Sequence, residues 1–553
     1  MPRLAIFKKD FNCSLRHSLY LEKYCHRFAE SCNNIGGTYR FQGNNQRALD
    51  YHIEAYRIRE NLLSREHPLT AISLGNMGIC HSYLGNYEEA ISDLRTSTKM
   101  LEAAFGEENY RIGMGYSNLA STYYLKRDFE KCLLYCDTSI AKLKKSLPEN
   151  HPNFGAIYGI SGSANSEAGN HEAAITFAQL EIENNNFNFS EQHPSVIMGQ
   201  INLANNMTRA KRFDEALTLY QAALNKLSAE NNTRAKELLF RLYEGRAKMY
   251  RMQYDRLKNT DLLTKAKTDL LACFEARNAY REALVSNLER DLLTQNTIQL
   301  AELGIRTCTQ ITPENLFPLA MSDAYLFSSQ NKASQLFESM RDAEAIQYSG
   351  LPDSILNLEY ALKVEIAYYE KKMFESQEKG SIVTDSIRDY WNIELLTARR
   401  AYENLKQKLA EIYPMYFKVR YKPHLTSIQT IQSELLIGTS CLVEYFTGDS
   451  MVYVFLITSD DFKVLQMPRN LPLETWVKNL QTGLSAYHAL PPGHPRRIPA
   501  FRDSCEQQYI AAARNLYDKL VKPVEPLLKE EVIIVPDGVL GYVPFEVLLT
   551  DSV

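Results

Sequence analysis

The strongest constraint in this chain is a register that repeats every 42 residues over roughly its first 230. His67-Pro68, Asn109-Tyr110, His151-Pro152 and His193-Pro194 open successive units, and Asn34, Asn76, Asn118 and Asn202 keep the same spacing, with Ile160 as the one gap. Two series of small residues run in step: Gly36, Gly78, Ala120, Gly162 and Ala204, and Ala48, Ala90, Cys132, Ala174 and Ala216. Self-similarity at such a period means stacked supersecondary units. A stack extends without one closed core because each unit touches only its neighbours. That suits a chain of 553 residues, which is too long for a single hydrophobic core.

Apolar residues recur at three- and four-residue intervals on both sides of turns such as Leu84-Gly85-Asn86-Tyr87, which predicts two helices per unit. Proline suits the first turn of a helix, so each His-Pro marks where the first helix of a pair begins. The small residue in each helix lets the partner approach, and Tyr87, Phe129 and Phe213 fill the space beside it. A bulky residue at Ala90 or Ala120 is expected to overpack the pair. His67, His151 and His193 are evenly spaced, but successive ones lie on successive units, too far apart to share one ion. They are predicted to be helix starts, and no metal site is predicted.

The pattern Asn118-Leu119-Ala120-x-x-Tyr123, followed by Phe129-x-x-Cys132, resembles the tetratricopeptide repeat, and the 42-residue spacing is similar to the kinesin-light-chain subclass. The resemblance covers roughly residues 25 to 230. It implies a mainly α fold, a right-handed α-solenoid of helix-turn-helix repeats. First helices would line its concave face and hold a protein or peptide partner. Residue by residue, it places groove amides at Asn34, Asn76, Asn118 and Asn202. An amide both donates and accepts, so it pairs with a peptide bond whatever the side chains. The residues leave a plainer alternative open, in which each Asn satisfies only local backbone or water. The repeats are assigned to residues 1–230. From 231 to 312 the register decays while helical patterning continues, and degenerate repeats or a cap are expected.

Residues 313–420 read as a helical linker region, with Gly350-Leu351-Pro352-Asp353-Ser354, an amphipathic stretch to about Ala410, and a break between Glu375 and Asp385. After Pro423 the pattern changes to strands. Cys441 to Phe446 and Met451 to Ile457 flank Thr447-Gly448-Asp449-Ser450 as a hairpin, with Phe462 to Gln466 as a third strand. Two helices follow, one carrying Trp476, Leu480 and Leu484 and the other Tyr509, Leu516 and Leu520. The apolar run Val532 to Val535 predicts a strand buried on both faces of a mainly parallel sheet.

Leu442-Val443-Glu444-Tyr445-Phe446, Val452-Tyr453-Val454-Phe455 and above all the run from Ile534-Val535-Pro536-Asp537-Gly538 to Val543-Pro544-Phe545-Glu546 resemble the CHAT domain, a caspase-like module related to separase. Residues 421–553 would then be the N-terminal part of an incomplete α/β caspase-like domain. In that family the catalytic histidine and cysteine lie downstream of the Pro-Asp-Gly motif, so no residue of this chain inherits either role. His488, His494, Cys441 and Cys505 stand in segments unlike the family's site. Asp537-Gly538 reads as a turn after a strand, with a catalytic strand-end aspartate as the alternative. The expectation is a fragment without activity of its own, whose complete parent is a caspase-like cysteine peptidase or an inactive scaffold. The Val532 to Val535 run would expose an unpaired sheet edge.

Composition narrows the remaining classes. Hydrophobic residues at 45% and charged residues at 23% match a soluble globular chain and not a disordered or membrane one. No apolar run of about eighteen residues occurs. Lys8, Lys9 and Asp10 interrupt any signal-peptide core. Ten scattered cysteines, the closest being Cys132 and Cys136, read as reduced thiols of a cytoplasmic protein. A net charge of -4 gives no reason to expect nucleic acid. No glycine-rich phosphate loop is present, and no cofactor is expected.

Overall fold

The structure, a computed structural model, describes residues 19–41, 45–227, 233–283, 293, 297–311, 317–340, 352–375, 384–414, 427–436 and 438–550. The first fourteen residues and the polar break at 376–383 lie outside them. Helix pairs begin at once: α1 (Leu19–Phe41) with α2 (Asn45–Leu63), α3 (Pro68–Tyr83) with α4 (Tyr87–Phe105), α5 (Tyr110–Leu125) with α6 (Phe129–Ser146), α7 (Asn153–Glu167) with α8 (His171–Asn188), and α9 (Pro194–Arg209) with α10 (Phe213–Leu227). Asn45, Tyr87, Phe129, His171 and Phe213, which open the second helices, are each 42 residues apart.

The register is written into the hydrogen bonds as well. Each first helix from α3 onward has an acceptor at its cap: Nδ1 of His67, His151 and His193 takes the N–H of Leu69, Asn153 and Ser195 at 3.1, 3.2 and 3.2 Å. Asn109 Oδ1 does the same for Arg111 at 3.0 Å, so histidine and asparagine are equivalent here. Each first helix then ends in a Schellman turn, with Asn86, Asp128, Asn170 and Arg212 donating to the carbonyls of His81, Tyr123, Asn165 and Met207. The left-handed residue before each donor is Gly85 (φ 82°), Arg127 (63°), Gly169 (83°) and Lys211 (62°).

The two small-residue series face each other. A Cβ on Gly78 would stand 3.2 Å from the Ala90 carbonyl, and one on Gly162 3.3 Å from that of Ala174. Ala48, Ala90, Cys132, Ala174 and Ala216 are wholly buried. Successive first helices touch directly, α3 with α5, α5 with α7 and α7 with α9. The buried hydroxyls of Ser82 and Thr122 join α3 to α5 at 2.7 Å. One apolar cluster runs from Ile91 and Leu119 to Phe154 and Ile157, and another from Ile175 through Tyr220 to Met249.

Among the described residues six further helices follow: α11 (Thr233–Leu257), α12 (Thr260–Ala283), α13 (Thr297–Thr309), α14 (Phe317–Met340), α15 (Asp353–Glu375) and α16 (Asp385–Ile412). Contacts divide the chain into two units. Residues 1–258, 268–292 and 350–414 form the first. In it α11 packs on α9 and α10, and Arg246 grips Asp269 with two bonds of 2.7 Å. The α15–α16 hairpin, which the sequence placed in a linker region, packs back on α1, and from α2 Arg47 Nη1 donates to the Tyr360 hydroxyl of α15 at 2.7 Å.

The second unit comprises residues 259–267, 293–349 and 415–553. Strands β1 (Ser440–Thr447), β2 (Met451–Thr458) and β3 (Phe462–Pro468) form an antiparallel meander, and β4 (Glu531–Val535) runs parallel to β1, giving the order β3-β2-β1-β4. Between β3 and β4 come α17 (Leu473–Ser485) and α18 (Pro499–Leu516). The expectation of a mainly parallel sheet with β4 buried on both faces is corrected: among the described residues only β1 and β4 pair in parallel. β4 is an edge strand, with Val532 and Ile533 each 36% exposed.

β1 and β2 are the strands buried on both faces, which explains their unbroken apolar runs. Cys441, Val443, Tyr445, Val452, Val454 and Leu456 face α17 and α18. On the opposite side α14 meets Glu444 and Phe455: Tyr325 and Ser328 donate to the Glu444 carboxylate at 3.0 and 2.7 Å, and the Tyr325 ring stands edge-on to Phe455. From α13, Glu302 accepts the backbone N–H groups of Asp449, Ser450 and Met451 at 2.6, 3.0 and 2.9 Å, closing the β1–β2 turn. A Cβ on Gly448 would lie 2.5 Å from the Glu302 carboxyl carbon, so any larger residue there would push the carboxylate away from the turn.

Candidate peptide-binding groove

The four asparagines singled out by the sequence sit on successive first helices, α1, α3, α5 and α9, with Ile160 at the α7 position. Asn34 is exposed, and Asn76, Asn118 and Asn202 are half-buried. Two of them have engaged amides. Asn76 Nδ2 donates to Asn33 Oδ1 at 2.9 Å, linking α3 to α1, and Asn33 Oδ1 is also 3.1 Å from Nδ1 of the buried His52. With two N–H groups and a carbonyl to offer, Asn76 keeps one donor and its acceptor after that bond. The backbone carbonyls of Asn34 and Asn118 take the hydroxyls of Thr38 and Thr122, which leaves their side chains unaffected. Ile160 packs against the apolar cluster around Phe154 and Ile157 instead of presenting an amide.

Asn202 leads to a residue that sequence reasoning missed. Its Nδ2 lies 3.4 Å from Oε2 of Glu181, a carboxylate on α8 that is only 7% exposed. Burial pushes Glu181 up to about 7, and the Asn202 bond opposes that rise. The signal was in the register: Ala55, Ser97, Ser139, Glu181 and Ala223 occupy equivalent places, and an acid stands out in a series of small residues. The serines of that series bond within their own repeat, Ser97 to the Ala71 carbonyl at 2.6 Å and Ser139 to that of Gly113 at 2.8 Å.

In the α/β unit both Cys441 and Cys505 are buried. Cys441 is wholly buried and its sulfur takes the Lys529 N–H at 3.4 Å. Cys505 is buried in α18. His488 is exposed, and His494 Nδ1 caps its own turn by accepting from Arg496. The Asp537 carboxylate accepts the Thr447 N–H at 2.6 Å and so ties the end of β1 to the segment after β4.

Paired helices in one register, with Schellman turns and small residues at fixed places, define the class of helical-repeat proteins. The tetratricopeptide repeat family matches residues 28–103, so the chain carries tetratricopeptide repeats. Among solved structures it is similar to the nearly identical TPR-like repeats of a putative kinesin light chain from Podospora anserina and to a point variant of those repeats. Each is 18% identical, at a TM-score of 0.32, over 37% of this chain and 97% of that one. It is also similar to the apo form of RapI, at 12% identity and a TM-score of 0.38, over 68% of this chain and 98% of that one. A search of curated proteins finds no match. Among the described residues no helix is long and apolar enough to cross a membrane.

Proposed function

We propose that the repeat unit is a protein-interaction scaffold that holds an extended segment of a partner along its first helices. Asn34, Asn76, Asn118 and Asn202 pair with the partner's backbone. The carrying observation is that successive first helices touch one another in a single register, which gives the asparagines equivalent places along one wall. A wall of this kind is the surface that repeat stacks use. In the full chain, Asn76→Ala with Asn118→Ala is expected to lower binding of an extended peptide at least tenfold, measured by fluorescence polarisation, with the helical circular dichroism spectrum retained. Unchanged affinity would count against the groove.

Residues 421–553 are proposed to be the N-terminal part of a CHAT-type domain to which the captured segment is presented. The resemblance of Ile534 to Glu546 supports this, as do buried strands flanked by helices on both sides. The same resemblance supports a second reading, a cysteine endopeptidase whose histidine and cysteine lie beyond Val553. Reading the coding sequence onward from Val553 separates the two readings, because the peptidase requires both residues in the family's segments. Buried, unbridged cysteines support a reducing, cytoplasmic setting.

A further inference from the structure

We propose that the Glu181 carboxylate, set between Gly159 of α7 and Gly199 of α9 beside the Asn202 amide, is where the groove selects a lysine or arginine side chain of its guest. The inference rests on the reading of the first helices as a peptide-binding wall, and it adds a side-chain preference to the backbone pairing that the asparagines supply.

Three observations carry it. A Cβ on Gly159 would stand 3.0 Å from Glu181 Oε1, so glycine on α7 leaves room for the carboxylate, and one on Gly199 would stand 3.0 Å from Ile182, so glycine on α9 lets the turn that carries Glu181 approach. Second, among the described residues Asn202 is its one hydrogen-bond partner, and at 3.4 Å a long one. A carboxylate has about four acceptor positions, so this one is under-partnered. Third, other buried acids of the chain are matched. Glu237 has Arg234 and Arg241, Asp269 has Arg246, Glu359 has Lys363 at 3.0 Å, and Glu302 has three N–H groups. Glu181 has no cation within ion-pair distance among the described residues, although it replaces the serines that satisfy themselves in the repeats before it.

The missing partner is a cation with hydrogen-bond donors. One carboxylate and one amide are too few ligands for a hard metal ion, which takes six or more oxygens. An ammonium or guanidinium group supplies charge and donors together, and a charge-assisted bond to a carboxylate only 7% exposed is the strong kind. The Asn202 amide stays in place, its carbonyl free to accept from the same cation.

The test uses the full chain, immobilised, and a positional-scanning library of extended decapeptides acetylated and amidated at their ends, with one residue fixed in each pool. Pools with lysine or arginine at one position are expected to be retained about tenfold better than those with norleucine or glutamine. Glu181→Gln is expected to erase that preference while keeping the backbone-driven binding that the Asn76→Ala, Asn118→Ala variant loses. A zero-length carbodiimide then couples the bound lysine to Glu181 in the unaltered protein, a readout that decides the matter even where the variant folds poorly. Identical ranking of pools by wild type and Glu181→Gln, or coupling only at other carboxylates, overturns the proposal and leaves the groove standing. Retention of no pool by wild type overturns both.

Discussion

At the scale of single residues, two kinds of buried group pull the stability of the repeats in opposite directions with pH. His52 and His193, 1% and 0% exposed, are held down at about 4 from an ordinary 6.5, chiefly by burial and then by Arg40 and Arg59 for His52 and Arg234 for His193. The unfolded chain takes up those protons first, so their contribution is complete above pH 6.5 and is lost as the pH falls towards 4. Glu181 has the reverse sign. Its folded value near 7 lies above the ordinary 4.5, so the folded chain holds the extra proton, and stability falls as the pH rises through that window. Each shift corresponds to on the order of 3 kcal/mol. Two histidines against one glutamate predict melting temperatures that climb from about pH 4 to about 6.5 and then slip slightly. His193→Asn keeps a cap acceptor, as Asn109 shows, and is expected to flatten the acid limb, whereas Glu181→Gln removes the slip near neutrality. Thermal melts of both variants across roughly pH 4 to 8 that overlay on wild type would contradict these assignments.

The helix pair is the next scale, and its turn is where sequence and backbone disagree. The Schellman turn needs a left-handed residue at Gly85, Arg127, Gly169 and Lys211, and two of the four places are not glycine. A side chain there costs about 1 to 2 kcal/mol, part of which glycine returns through its greater freedom in the unfolded chain. Lys211→Gly is therefore expected to stabilise by about 0.5 to 1 kcal/mol, and Gly169→Ala to destabilise by a similar amount, read from denaturant midpoints. Equal midpoints for the two variants would rule the account out. The helix pairs themselves were legible, because His-Pro, the small residues and the turn fall at a fixed interval, and the second helices start on that interval. What could not be read was the use of α13 and α14. Strands β1 and β2 are apolar on nearly every residue, which demands helices on both faces, yet only α17 and α18 follow them in sequence. The other cover comes from upstream, where Glu302 and Tyr325 look like ordinary helical residues until the hairpin turn and Glu444 are placed beside them.

For the whole molecule, contacts join α15 and α16 to the repeats and α13 and α14 to the strands, an allocation that the order of elements along the chain does not announce. Local periodicity identifies a helix; it says nothing of the partner that helix chooses at long range. The asparagines proposed for the groove stand out because they repeat, and Glu181 was passed over because it breaks a pattern of small residues instead of making one. The central claim is that the first helices form one continuous wall along which a guest lies extended. Its most direct test places a photoreactive phenylalanine in the full chain at Asn34, Asn76, Asn118 or Asn202, with Leu134 on second helix α6 as the control. Each variant is irradiated with a peptide selected from the library and the crosslinks are mapped by mass spectrometry. The account predicts crosslinks that advance in order along the peptide from Asn34 to Asn202 and none from Leu134. Crosslinks without order, or from Leu134 alone, would contradict it.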